Sequence, residues 1–387
     1  MGQNTTVTTR SIGRDSLAES RDVAPFGVLL VGNFLSAARP GSCTVCELLA
    51  ARLSAAGWPV LTTSDKSARL SRLADMLITV WRRRREYAVA QVDVYSGPSF
   101  IWAESVCWLL GRLGKPFVLT LHGGNLPAFG KRWPGRVRRL LGSACVVTTP
   151  SRYLQQSLRP YRDDLLLLPN GVDLEHYQFR LRQNPTPSLV WLRAFCEIYN
   201  PSLAVRVLAG ILKDFPEARL SMIGPDKGDG SLEQVKSEVR RLGLEGRVSL
   251  PGFVSKAQVP TGLNSGDVFL NTTNVDNTPV SVIEAMACGL CVVSTNVGGL
   301  PYLLDDEQDS LLIQPDDSAA MATAVSRILR EPALAGRLSQ NARAKAEQFD
   351  WSTVLPQWLA LLRGIGSGQK ITSMPAGSSR VPSPQHE

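Results

Sequence analysis

No apolar run in this 387-residue chain approaches the ~20 residues needed to cross a bilayer as a helix, so a spanning segment is not expected. The first two dozen residues lack the compact apolar core of a secretory signal, which makes the cytoplasm the expected location. Histidine is scarce, with three in all. Two C-x-x-C pairs occur, Cys43/Cys46 and Cys288/Cys291, but neither has a histidine nearby and Cys291 opens a strand-like run. No zinc site is expected from them. The loop after the first strand candidate contains no G-x-G-x-x-G, which argues against a dinucleotide dehydrogenase. There is also no G-x-S-x-G and no Cys–His pairing that spacing supports, so a covalent intermediate has no evident nucleophile.

What is present is ordinary in amount and uneven in distribution. A hydrophobic fraction of 44% and a charged fraction of 20% suit a soluble globular protein, and the length suits two cores. The net charge of +8 comes entirely from the first half: residues 1–170 hold 22 Lys and Arg against 11 Asp and Glu, whereas residues 171–387 hold 20 against 23. That asymmetry points to an anionic partner of the first half, whether nucleic acid, acidic lipid or a phosphorylated substrate.

Short apolar runs alternate with helical patterns throughout, the sign of parallel strands joined by crossovers. The first series comprises VLLVG (28–32), a segment near Val60, VAQVDVY (89–95), PFVLTL (116–121), CVVTT (145–149) and LLLLP (165–169). Between the first two, residues 44–57 read as an amphipathic helix ending at Gly57. After a polar linker at 178–187 a second series begins: LVWL (189–192), ARLSMIG (218–224), VSLPG (248–252), DVFLN (267–271), CVVST (291–295) and SLLIQ (310–314). The expected fold is α/β, with two Rossmann-like, doubly wound domains (25–177 and 188–350) facing across a cleft and a closing helix at 351–363. The terminal stretches 1–24 and 364–387 are poor in large apolar residues and are expected to be disordered.

The stretch from Asp276 to Gly289 carries the most chemistry. Pro279 suits a first helical position and Thr278 a cap, so a helix should start there and offer its N–H groups to an anion such as a diphosphate. Glu284 would lie about one and a half turns in, with Asp276 just before the helix, so that the two carboxylates could bracket a ligand.

This stretch resembles the E-x7-E region of family 4 glycosyltransferases, which have the GT-B fold, in the subset with aspartate at the first acidic position. Six further segments agree in order: GNFLSAARPGS (32–42), LTLHGGNLP (119–127), LLPNGVDLEHY (167–177), LVWLRAF (189–195), SMIGPDKGDG (221–230) and LPGFVSK (250–256). The resemblance spans about residues 26–363. It implies that Glu284 binds the nucleotide ribose, that Asp276 faces the donor sugar, and that the backbone N–H groups of Thr278, Val280 and Ser281 meet the phosphates or sugar. It places Gly41 and Ser42 above the donor diphosphate, Gly224 beside the donor and His122 over the donor sugar, where His122 would stabilise developing charge.

Arg193 follows a strand at the edge where open α/β sheets bind ligands, and its guanidinium could bridge two phosphate oxygens. The family usually pairs this arginine with a lysine, but here the matching region reads EIYNP and places Asn200 or Tyr199 there. Lys227 is a candidate substitute. No D-x-D triplet occurs, so a metal clamp on the diphosphate has no evident ligands and no metal or cofactor is expected. The resemblance further implies retention of anomeric configuration, with a nucleoside diphosphate sugar as co-substrate and a glycan or lipid-linked acceptor. A sugar-nucleotide epimerase and a sugar-nucleotide-binding protein without turnover are the competing readings. Two basic and aromatic clusters, Trp81–Arg85 and Lys131–Arg139, suggest attachment to the anionic inner face of the cell membrane. No nucleic-acid reading module is recognised, and nucleic acid is not an expected partner.

Overall fold

The computed structural model describes residues 26–34 and 44–368. The two terminal stretches, apart from residues 364–368, and the pair Gly41 and Ser42 lie outside the described residues.

All twelve strand candidates are strands. The first sheet contains β1 (Val28–Val31), β2 (Val60–Thr63), β3 (Val89–Val94), β4 (Phe117–Leu121), β5 (Val146–Thr149) and β6 (Leu166–Leu167), ordered β2-β1-β3-β4-β5-β6. The second contains β7 (Ser188–Leu192), β8 (Arg219–Ile223), β9 (Val248–Gly252), β10 (Val268–Asn271), β11 (Cys291–Thr295) and β12 (Ser310–Ile313), ordered β12-β11-β10-β7-β8-β9. Every pairing is parallel, and the near-continuous burial of β1, β4, β5, β10 and β11 follows from helices covering both faces.

The helices around the first sheet are α1 (Val45–Ala55), α2 (Arg69–Arg82), α3 (Ser99–Arg112), α4 (Leu126–Arg132), α5 (Pro134–Ser143) and α6 (Arg152–Leu158). Thr44 and Glu47 form a capping box that starts α1, and Gly57 follows its end with φ +82°. The second sheet carries α7 (Pro201–Ile211), α8 (Ser231–Arg241), α9 (Val259–Asn264), α10 (Val280–Ala287), α11 (Leu300–Leu303), α12 (Ser318–Arg330) and α13 (Pro332–Ala346).

The last helix, α14 (Trp351–Gly366), returns to the first domain. Its Trp351, Val354, Trp358, Leu361 and Leu362 pack with Val28, Leu30, Leu49 and Leu53 under the first sheet. It extends three residues beyond the expected end at 363, because Gly364 and Ile365 are buried there. The outward crossing is also tied down. Arg182, 2% exposed, gives its guanidinium to Asn264 Oδ1 at 2.7 Å, to the Arg180 carbonyl at 2.6 Å and to Asp267. The linker is therefore fixed to the second domain.

Both sheets reverse their strand order once, between β1 and β3 and between β7 and β10. At such a switch point the connections leave in opposite directions and open a crevice at the C-terminal ends of the strands. The two crevices face each other.

Candidate functional site

The second crevice is built on the segment between β10 and α10. The 3.0 Å bond from Gly299 N to the Asp276 carbonyl holds this loop, as does the 2.6 Å bond from Thr295 Oγ1 to the Thr273 carbonyl. Asn277 meets Ser151 of the first domain, and the Gly124 backbone lies directly against that of Asp276. The loop after β4 and the loop before α10 thus touch across the cleft.

The helix start differs from expectation by one residue. Pro279, with ψ 118°, precedes the helix and Val280 opens it; no side chain caps it. Thr278 Oγ1 is instead buried without a hydrogen-bond partner, and so is Ser281 Oγ one turn below. The reason is local: Pro279 occupies the cap position, so Thr278 lies one residue too early to cap the helix. The free N–H groups at the start of α10 and two unpartnered hydroxyls consequently belong to one place.

Arg193 follows β7 into the same place. Its Nη2 pairs with Asp276 Oδ2, and its Nε is buried and unpartnered. A side chain at Gly224 would put its Cβ 1.7 Å from the Arg193 carbonyl, so only glycine lets the end of β8 approach this closely. Glu284 is 3% exposed and accepts from Tyr177 Oη at 2.7 Å; Lys256 Nζ forms an ion pair with the same carboxylate oxygen. Burial and the Glu284 carboxylate push the Tyr177 phenol well above its ordinary range, so it donates as a neutral hydroxyl. Each acid of the pair is therefore held by its own cation, Asp276 by Arg193 and Glu284 by Lys256.

His122, at the end of β4, is 7% exposed. Its Nε2 lies 3.0 Å from Asp93 Oδ1, which also accepts from Gln91 Nε2 at 2.8 Å, and its ring stacks on Tyr95 at 5.2 Å. Nδ1 has no partner among the described residues and remains available to a ligand. Asp93 also lines a small cleft at the switch point of the first sheet, with Asn33, Tyr95, Ser99 and Trp102.

Two other expected contacts are Asn200 and Lys227. Asn200 adopts a left-handed backbone (φ 44°) at the start of α7 and donates its amide to Asp316 at 3.2 Å. Tyr199 is the residue that meets Arg193. Lys227 is exposed in the loop after β8. Sequence reasoning missed Asp93, Lys256 and a role for Tyr177. Tyr177 and Lys256 are the last residues of LLPNGVDLEHY and LPGFVSK, and their place in those two segments was the available signal.

Both halves of the chain resemble known proteins. Residues 180–345 match the model of glycosyl transferases group 1, and residues 44–176 match Glycosyltransferase Family 4. The D-inositol 3-phosphate glycosyltransferase of Segniliparus rotundus is 24% identical over 304 residues, covering 72% of this chain and 68% of that protein. Among solved structures, sucrose-phosphate synthase from Thermosynechococcus elongatus superposes with a TM-score of 0.73 at 18% identity, covering 89% of this chain and all of that one (100%). HepE from Anabaena, solved in complex with UDP, gives 0.69 at 18% identity, covering 88% and 100%. The protein is an enzyme, a glycosyltransferase of the GT-B type. Its first half carries the Glycosyltransferase Family 4 domain and its second half the glycosyl transferases group 1 domain.

Proposed function

We propose that the protein moves a hexose from a nucleoside diphosphate sugar to a glycan or lipid-linked acceptor, with retention of anomeric configuration and without a metal, in cell-surface polysaccharide or glycolipid synthesis. The observation that carries this reading is the cluster of unpartnered buried atoms at the start of α10: Arg193 Nε, Thr278 Oγ1 and Ser281 Oγ. A buried polar atom without a partner costs about 1–3 kcal/mol, a cost that phosphate oxygens would remove on binding. A positive guanidinium beside a helix N-terminus selects an anion. The neighbouring Glu284 suits ribose hydroxyls.

In the reaction, the bond between the anomeric carbon and the diphosphate oxygen breaks. Arg193 and the α10 amides take up the charge on the leaving group. The acceptor hydroxyl oxygen forms the new bond on the same face, and its proton passes to a diphosphate oxygen. His122, next to Asp93, faces the donor sugar.

The helical layer α2, α3 and α5 over one face of the first sheet supports an acceptor presented at an anionic membrane. Trp81, Trp108 and Trp133 are 52%, 62% and 44% exposed, and each lies beneath an arginine: Arg84 at 4.8 Å, Arg112 at 5.3 Å and Arg132 at 5.6 Å. Tryptophan suits the lipid interface and arginine its phosphates. No helix among the described residues is long and apolar enough to cross a membrane, so attachment would be peripheral.

A panel of UDP- and GDP-sugars tests the whole reading. One of them should raise the melting temperature and be turned over in excess EDTA, with product of the donor's anomeric configuration. Loss of turnover in EDTA with rescue by magnesium or manganese would overturn the metal-free reading.

A further inference from the structure

The arginine that should grip the donor diphosphate lacks the lysine that normally accompanies it, and the structure shows an aromatic ring in its stead. The Tyr199 ring centroid lies 4.3 Å from Arg193 Cζ, the closest of the cation–π contacts among the described residues. Arg193 is covered on that face, paired at Nη2 with Asp276, and buried without a partner at Nε.

The ring is held in place by the loop that carries Asp276. Thr272 Oγ1 donates to the Tyr199 carbonyl at 2.7 Å and itself accepts from Trp191 Nε1 at 2.9 Å. Asn274 N donates to the Ile198 carbonyl at 2.8 Å, and Thr273 Oγ1 to the same carbonyl at 3.3 Å. Tyr199 also packs against the core of the second domain. Ring and carboxylate are thus parts of one stitched unit, and Arg193 sits between them.

A guanidinium binds a phosphate best through two parallel N–H groups, and the edge formed by Nε and Nη2 offers such a pair. Nε is free, but Nη2 is held by Asp276. A diphosphate arriving at that edge must take Nη2 from the carboxylate, and the freed Asp276 can then accept from a donor-sugar hydroxyl. During that exchange Arg193 loses its ionic anchor, and the ring is what keeps its plane fixed. Burial raises the Tyr199 phenol above its ordinary range, so the ring remains a neutral platform.

We propose that Tyr199 is a positioning residue for the donor diphosphate, holding the Arg193 guanidinium flat while Asp276 yields Nη2 to the phosphate. This rests on the donor-site reading above, and the experiment separates the two. UDP and GDP are titrated calorimetrically into the full-length protein, and the tighter binder is used with Tyr199→Phe, Tyr199→Leu, Arg193→Ala and the Tyr199→Leu/Arg193→Ala double variant. Tyr199→Phe, which keeps the ring, should bind within about twofold of the parent, and Tyr199→Leu should bind about five- to tenfold more weakly. In the Arg193→Ala background the leucine change should add less than about twofold, because its effect runs through the arginine. The corresponding nucleoside, which has no phosphate for Arg193, should bind Tyr199→Leu and the parent alike, a result that general damage to the site would not give. Parent-like diphosphate binding by Tyr199→Leu, or a full additive loss in the double variant, would overturn the proposal while leaving the donor site standing. If the parent binds neither diphosphate, the donor-site reading falls and this proposal falls with it.

Discussion

The two crevices at the sheet switch points have the same topology and opposite states of polar satisfaction. In the first, Asp93, Gln91, Thr120 and His122 bond one another: Gln91 Nε2 donates to Asp93 Oδ1 at 2.8 Å and to Thr120 Oγ1 at 2.9 Å, and His122 adjoins the same carboxylate. In the second, three buried polar atoms have no partner and both carboxylates are occupied by cations. The first network is bonded within itself except at His122 Nδ1, and it loses little when empty. A crevice with orphaned donors beside a guanidinium is complete only with an anion. On the proposed reading, the second crevice is the one that takes the donor diphosphate.

The largest effect expected from breaking this contrast is at Arg193. Arg193→Ala should lower kcat/KM by about 10- to 100-fold, since it removes a charge-assisted contact contributing roughly 1.5–3 kcal/mol. Unchanged turnover in a folded variant would remove Arg193 from the site. Asp93→Asn sharpens the comparison from the other side. It should lower kcat on the order of tenfold by loosening His122, while UDP or GDP affinity stays within about twofold. Weakened nucleotide binding in that variant would mean that the two crevices are not separate in function. The smallest effect on donor affinity is expected from the basic surface. Replacing Arg82 to Arg85 with Ser should release the protein from anionic liposomes at low salt and leave nucleotide affinity unchanged. If the unaltered protein ignores such liposomes at ~50 mM salt, the cationic layer serves something other than a lipid surface.

Much of the architecture was legible because parallel strands covered on both faces must be apolar along their whole length. Runs such as VLLVG and CVVST announce themselves without reference to any partner. The loops at their C-terminal ends were legible too, and they contain Arg193, His122 and Asp276. Capping was less so. The choice between Thr278 as cap and Thr278 as free hydroxyl depends on one ψ angle at Pro279, which composition does not report.

The sequence by itself determined the two doubly wound domains, the basic bias of the first half and the segments that supply the site. Tertiary structure alone decided who meets whom. Arg193 finds Asp276 across 83 residues and Tyr177 finds Glu284 across 107. Asn200 was as good a candidate as Tyr199 until its left-handed backbone turned it toward Asp316 and left the ring under Arg193. The closing helix follows the second half in sequence, yet Trp351 and Trp358 bury themselves beneath the first sheet. Hydrophobic periodicity records that a side chain is buried, but not against what, because burial depends on area removed from water and is indifferent to the partner's place in the chain. Pairings between distant residues are set by the way the sheets twist and the loops close, and those are properties of the assembled fold.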